Sequence, residues 1–433
     1  MNVAVVGGGA SGMIASICAY DAGANVTVFE HMPRLGRKLL LTGSGKCNIS
    51  NTDMDVRRFH CADENNANAE KTGKDVIAKV LERCPQEETL AFFEKLGVHV
   101  KDRKGYLYPY CEQASSVVDA LRFAVRDRDI DVHIESDIRR IEKLKQSNDR
   151  INEDKFIIET ATHKLTFDRV ILCCGSNVNR NTGSDGSGYE FAKRLGHTLV
   201  KPLPALTHLI CEEDFYPSVA GIRTPAAISL YLRVNDSNAN IHNSAYTLLG
   251  TETGELQLTK TGISGVCVFN LSFMAIRALD EGRRVKAVID LLPDIDESNI
   301  NEYMRKRIAN LSNRPLEELF IGLLAKPLGI LICKRCVLDL KRKCSDLDTH
   351  EIDNLCRMVK EFETFIKGSG DVDNAQVAQG GVKLSEIREN LESKAVSGLY
   401  FAGEILDVNG DCGGYNLQWA ASSGMLAGRE AAK

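Results

Sequence analysis

The opening thirty residues constrain this chain most. Residues 2–6 (NVAVV) read as a buried strand, and GGGASG, Gly7 to Gly12, follows without a linker. An apolar helical run, MIASICAYDAG, comes next, then a second strand, NVTVFE, ending in Glu30, 18 residues beyond Gly12. Strand, glycine turn, helix, strand and acid in this order describe a dinucleotide cradle. Gly7 permits the tight turn, Gly9 lets a pyrophosphate approach the backbone, and Gly12 lets the helix pack on the strand. The phosphates would sit at a helix N-terminus, whose free N–H groups and dipole favour anions. Glu30 can accept hydrogen bonds from both ribose hydroxyls and would repel a 2′-phosphate. The tightly bound nucleotide is therefore expected to be FAD or NAD, not NADP.

A chain of 433 residues can bury a large core and is expected to form two or three domains. Its net charge of -5 gives no reason to expect nucleic acid or an anionic membrane as partner. The N-terminus enters a core strand at once, which argues against a signal peptide, and no apolar run approaches the roughly 20 residues of a membrane span. The 14 cysteines are scattered and read as free thiols in a reducing cytoplasm. These features together describe a cytoplasmic globular enzyme.

After Glu30, Gly36, Arg37 and Lys38 fall near the adenosine end, where two cations can meet a pyrophosphate. TGSGKCN, Thr42 to Asn48, is not a P-loop: position 40 is Leu where glycine is needed, and Cys47 stands where Ser or Thr is needed. What remains is a glycine-rich loop (Gly43, Ser44, Gly45) with Lys46, Cys47 and Asn48, suited to a flat ring. Cys47 reads as a small packed side chain, with a redox thiol or covalent flavin anchor as the alternatives. Helices are expected over DVIAKVLER, EETLAFFEKLG and from Ala114 onward, with a strand at VHVKD. Tyr106, Tyr108 and Tyr110 read as a packed strand face or as substrate contacts. Residues 131–170 read as three strands of a β-meander with a hairpin turn near 147–154, followed by the apolar strand VILCCGS, ending in Gly175 and Ser176. TGSDGSGYEFAKRLGH then offers another ring- or anion-facing turn before a helix.

The texture changes at 198. Prolines separate short β-rich runs, which read as an inserted β-barrel-like domain over 198–266. Residues 267–340 read as a helical subdomain of that insertion, including one helix over PLEELFIGLLAKPLGILI, and 341–365 as its return segment. CKRC, Cys333 to Cys336, has disulfide-reductase spacing but reads as incidental cysteines, with a redox pair or metal site as alternatives. Residues 366–433 are the second part of the nucleotide domain begun at 1–197, with strands expected over 361–382. LYFAGE is a strand ending at Gly403 and Glu404; Asp407, Asn409, Gly410 and Asp411 make a loop; Gly413, Gly414, Tyr415 and Asn416 open the last helix. A helix N-terminus here can stabilise negative charge on a reduced flavin.

With these segments in hand, the chain resembles the bacterial FAD-dependent oxidoreductases described as aminoacetone oxidase-like or bile-acid (3-dehydro steroid) reductase-like. GRKLLLTGSGKCNISN, TGSDGSGYEFAKRLGH, GELQLTKTGISG, QVAQGGV and GLYFAGEILDVNGDCGGYNLQWAASSG carry the likeness, which covers essentially the full length. It implies an α/β, Rossmann-like FAD-binding domain in two parts, interrupted by the barrel and helical insertion. It also implies FAD contacts at Gly9, Ser11, Gly12, Glu30, Arg37, Lys38, Gly43, Cys47, Asn48, Gly403, Asp407, Gly414, Tyr415 and Asn416. Gly7, Ala10, Ser44, Gly45, Gly175, Glu404 and Gly413 complete the expected cofactor contacts. Many members carry Thr-His where this chain has Thr259 and Lys260, which puts an imidazole role there in doubt.

The resulting expectation is an enzyme with non-covalent FAD that passes a hydride from transiently bound NAD(P)H to an activated C=C bond, with a steroid-like enone as one possible substrate. Lys46, Tyr108 and Tyr415 are the candidates to line the flavin face, with a tyrosine as proton donor. The alternatives are an oxidase or dehydrogenase acting on an amine with O₂, a flavin-dependent RNA-modifying enzyme, and a redox-sensing flavoprotein. The dense positive run at 334–343 (KRCVLDLKRK) is the feature an RNA reading would need.

Overall fold

The computed structural model describes residues 1–62, 73–144, 155–234 and 246–433; the hairpin turn expected near 147–154 lies outside them. The chain divides into two compact units, 1–204 with 372–433, and 205–371.

The first unit is built on a five-stranded sheet in the order Leu399–Phe401, Arg169–Leu172, Asn2–Val6, Asn25–Phe29, Asp131–His133. Each neighbouring pair is parallel. The registers Val6↔Phe29, Val6↔Leu172 and Leu172↔Phe401 end four strands at the same level. Gly7, Glu30, Cys173 and Ala402 therefore emerge together at the carboxyl edge, where doubly wound sheets bind ligands. The first helix, Ala10–Asp21, is buried over most of its length, which its near-continuous apolar sequence requires. A Cβ at Gly12 would stand 1.8 Å from the Gly7 carbonyl oxygen, so only glycine lets the helix start this close to the strand. The last helix, Tyr415–Ala431, approaches in the same way: a Cβ at Gly428 would lie 2.3 Å from the Ala15 carbonyl oxygen and one at Gly424 2.7 Å from that of Ser11.

Residues 131–144 form two strands where the sequence suggested one. Asp131–His133 completes the parallel sheet, whereas Ile138–Lys143 belongs to an antiparallel meander with Phe156–Thr160 and Lys164–Phe167. Glu135, at φ 50°, makes the corner between them.

The second unit holds a closed antiparallel barrel of Leu209–Cys211, Gly262–Ser264, Tyr246–Leu258, Arg223–Arg233, Val285–Asp290 and Phe362–Ser369. Two of these strands differ from expectation. Val285–Asp290 lies in the stretch read as helical, yet its residues alternate buried and half-buried, the period-2 pattern of a barrel wall. Phe362–Ser369 closes the barrel, while the strand of the first unit that follows is Val377–Val382, paired with Leu199–Ala205. That pairing keeps residues 199–204 in the first unit, so the division falls at 204 and 371 where the sequence suggested 197 and 365. Helices Val266–Asp280, Ile300–Asn310, Lys326–Arg335 and Thr349–Lys360 fill out the unit. The helix expected over PLEELFIGLLAKPLGILI is a short 3-10 turn, Leu316–Glu318, followed by the helix from Lys326. Gly322 at φ 77° breaks the run, and Pro327 sits in the first helical turn, where its missing N–H costs nothing.

Gly428→Ala should force the first and last helices apart and destabilise the protein by about 1–3 kcal/mol. The urea midpoint of the purified protein reads this; an unchanged midpoint would contradict the close packing.

Candidate dinucleotide-binding site

A cleft with about 1350 Å³ of empty space, open mouth included, lies along the carboxyl edge of the parallel sheet. Gly7, Gly9, Ala10, Ser11, Glu30, Arg37, Lys38, Gly175, Glu404 and Asn416 all line it. The first helix begins at Gly9 with no side-chain cap and no acid in its first turn, so its leading N–H groups are available to an anion. A Cβ at Gly9 would meet nothing within 4 Å, unlike those at Gly7 and Gly12. Packing does not require glycine there, but a group approaching the backbone from the cleft would.

Glu30 is held by backbone donors: Gly8 N–H to Oε2 and Met32 N–H to Oε1, each at 2.8 Å. These bonds fix the carboxylate in the cleft wall and leave lone pairs for ribose hydroxyls. Arg37 lines the cleft, but Lys38 is already committed to Glu404, its Nζ 2.6 Å from Oε2. Glu404 also accepts from Ser176 Oγ at 3.0 Å and from the Ala378 N–H at 2.9 Å. Lys38 and Glu404 thus tie the two halves of the domain together, and Arg37 is the cation of the pair left for a phosphate. Residues 182–185, within the turn that the sequence marked as ring- or anion-facing, also line the cleft, as do 136–138 and Arg34, which were not singled out from sequence. The Ser136 N–H bonds the Glu30 carbonyl oxygen at 3.0 Å, a contact between distant segments that no local pattern signals.

The ring-facing segments lie beyond this lining. Thr42 is in the cleft wall, and the chain then turns through Gly43 and Ser44, both at φ 56°, to Cys47 at φ 60°. Gly43, Ser44, Gly45, Cys47 and Asn48 are not among the lining residues, nor are Gly12, Gly403, Asp407, Gly413, Gly414 and Tyr415. Gly12 is behind the turn, and a Cβ at Gly403 would lie 2.4 Å from Ser11 Oγ. Asp407 is buried and accepts from the Ala62 N–H at 2.9 Å. Asn416 brackets Gly410, accepting from its N–H and donating to its carbonyl, both at 2.8 Å. Gly414 seats the last helix against Ser50, whose carbonyl oxygen is 2.4 Å from where a Cβ would be. That helix also starts without a side-chain cap or a first-turn acid.

Cys47 is fully buried, and burial pushes its thiol up to about 12, which disfavours the thiolate that a redox or anchoring role requires. Burial likewise raises Cys333, to about 12, and Cys336. The three catalytic candidates each have partners of their own. Lys46 pairs with Glu112 at 3.2 Å, Tyr108 is half-buried on a hairpin, and the Tyr415 hydroxyl donates to the Asp53 carbonyl at 3.0 Å. Burial raises the Tyr415 phenol to about 12, and its ring packs edge-on against Phe59. These two contacts fix the Tyr415 ring at the start of the last helix.

Two amide atoms on the expected ring-facing segments have no protein partner. Asn48 Oδ1 and Asn409 Nδ2 are buried without a hydrogen-bond partner, an acceptor and a donor on the two segments expected to meet the flavin. Buried polar atoms are nearly always paired, so these fit a group with complementary polar edges. With the open space at Gly9, the uncapped helix and Glu30, the residues suit FAD.

A family model described as the HI0933-like protein Rossmann domain matches residues 1–430. The chain belongs to that family. It is an FAD-dependent oxidoreductase with an FAD-binding Rossmann domain. The 3-dehydro-bile acid delta(4,6)-reductase of Clostridium scindens is 35% identical over 435 residues, covering 100% of this chain and 99% of its own. The ribosomal RNA dihydrouridine synthases of Haemophilus influenzae and Escherichia coli are 26% and 24% identical, each covering 97% of this chain and 95% of its own. No helix among the described residues of this HI0933-like protein is long and apolar enough to cross a membrane.

Thiol chemistry separates the buried cysteines from one exposed one. Cys111 is exposed, and the Ser116 hydroxyl 3.3 Å from its sulfur lowers its pKa. More thiolate at pH 7.5 makes Cys111 the first site of limited alkylation, read by peptide mass mapping; first reaction at Cys47 would contradict its burial.

Proposed function

We propose that this protein is an NAD(P)H-linked reductase acting on an activated C=C bond of a hydrophobic small molecule such as a steroid enone. The observation that carries this reading is the full-length likeness to a 3-dehydro-bile acid delta(4,6)-reductase, joined to a cleft that suits FAD. When bound, FAD supplies the two-electron chemistry. Glu30 would hold the ribose, the N-terminus at Gly9–Ser11 and Arg37 would hold the pyrophosphate, and Asn48 and Asn409 would offer their unpaired amide atoms to the ring. The uncapped N-terminus at Tyr415 favours negative charge beside that edge. Tyr108 is the better-placed proton donor of the two tyrosines, because its hydroxyl, unlike that of Tyr415, is not committed to the Asp53 carbonyl. NAD(P)H would bind transiently, because the chain carries no second glycine fingerprint followed by a strand and acid. The free thiols suit work in a reducing cytoplasm.

A second reading is RNA modification, supported by the likeness to the dihydrouridine synthases, whose name also describes saturation of a ring double bond. The run at 334–343 gives it limited support. Arg335 lies over the rings of Phe215 and Phe362, at 5.3 and 4.5 Å, and Arg342 pairs with Glu351 at 2.6 Å. Those cations are engaged within their own unit.

An anaerobic titration of the yellow protein with NADH and then NADPH tests the proposal. The flavin band should bleach within seconds, and a steroid enone should restore it. Failure of both nicotinamides to bleach it, with peroxide formed from an amine in air, would replace the reductase by an oxidase.

A further inference from the structure

The hairpin Val100–Arg103/Tyr106–Pro109 sets Lys101 opposite Tyr108 and Arg103 opposite Tyr106. Directly paired residues of an antiparallel ladder share a face, so two cations and two tyrosines stand together, with Leu107 buried on the other side. Glu112, at φ 51° in the following turn, lays its carboxylate among these cations. It meets Lys101 at 2.9 Å, Arg103 at 3.1 Å and Lys46 at 3.2 Å. The three cations share this carboxylate, so the cluster keeps a positive excess. The Glu112 side chain is 24% exposed against 44% for Lys46 and 57% for Arg103, so the cations still present donors to solvent. Apolar surface adjoins them: Tyr110 is 66% exposed with Lys101 5.1 Å over its ring.

The cluster is joined to the cleft by two short connections. Lys46 ends the turn that leaves the cleft wall at Thr42, and the Cys47 N–H bonds back to the Thr42 carbonyl at 3.0 Å. A Cβ at Gly43 would be 3.5 Å from the Tyr108 ring, and one at Gly413 3.0 Å from that of Tyr106. Gly413 stands just before the helix whose Asn416 and Leu417 line the cleft.

From this the geometry points to an anion subsite in which Lys46, Lys101 and Arg103 bind the carboxylate of an amphiphilic substrate, whose apolar body crosses the tyrosine face toward the cleft. Glu112 is the internal counter-ion that occupies the subsite between substrates. Each exposed pair with Glu112 is worth little, so displacing it costs little. An incoming carboxylate gains charge-assisted bonds, with Arg103 able to present two parallel donors. This assignment rests on the reading of the substrate as a hydrophobic small molecule.

The test compares, by calorimetry on the FAD-loaded enzyme, a steroid enone bearing a side-chain carboxylate with its methyl ester. The wild type should bind the acid about tenfold more tightly than the ester. In the double variant Lys101→Ala, Arg103→Ala that ratio should fall to within about twofold, and in Glu112→Gln it should rise about threefold, which loss of structure alone would not produce. A wild-type ratio near one, or a ratio unmoved by these variants, overturns the subsite. So does tight binding of a ribosomal RNA fragment, lost in the double variant, with no preference for the acid. A preserved acid preference without nicotinamide-driven turnover keeps the subsite and removes the reductase reading instead.

Discussion

The structure depends on the first helix being held from two sides. At its start, Gly12 sits on the Gly7 carbonyl and brings the helix onto the strand edge. Along its length, Gly424 and Gly428 bring the last helix onto the Ser11 and Ala15 carbonyls. Both helices also start without a side-chain cap, leaving leading N–H groups open on the cofactor domain. A rigid anion cradle follows from this packing, because neither helix can shift without opening a backbone contact. The thirty residues at one end of the chain are positioned by the twenty at the other.

That dependence explains what could be read from the sequence. The fingerprint from Asn2 to Glu30 was legible because each step is local: a buried strand, a glycine turn, an apolar helix and an acid at fixed spacing. The closing helix was legible from its glycine opening. Longer-range facts were hidden. Lys38 reads as a phosphate ligand until Glu404, 366 residues away, is seen 2.6 Å from it. The bond from the Tyr415 hydroxyl to the Asp53 carbonyl, 362 residues away, was equally hidden. Val285–Asp290 was masked by the helices on either side, although its alternation is plain once the barrel needs a wall there.

Much of the cleft wall was likewise out of reach of local patterns. Residues 136–138 face the site because a corner at Glu135 turns the chain back over Glu30; the turn at 182–185, where Gly183 at φ 101° passes His31 and Met32, was by contrast legible from its glycines. The unpaired atoms of Asn48 and Asn409 are a different kind of signal. They are buried polar atoms without a protein partner, and they fall on segments the sequence had already marked. The tyrosine stripe of residues 106–110 shows the opposite: alternation was evident, but its cationic partners at 101 and 103 required the strand register.

The central claim is that the helix N-terminus at Gly9 is shaped for the phosphates of FAD and not for the fold alone. Gly9→Val tests it most directly, because the added side chain meets no protein atom within 4 Å of its Cβ and the extended backbone there accepts valine. Far-ultraviolet circular dichroism should be unchanged while FAD released per chain on denaturation falls at least about tenfold. Full FAD content in the folded variant would contradict the account.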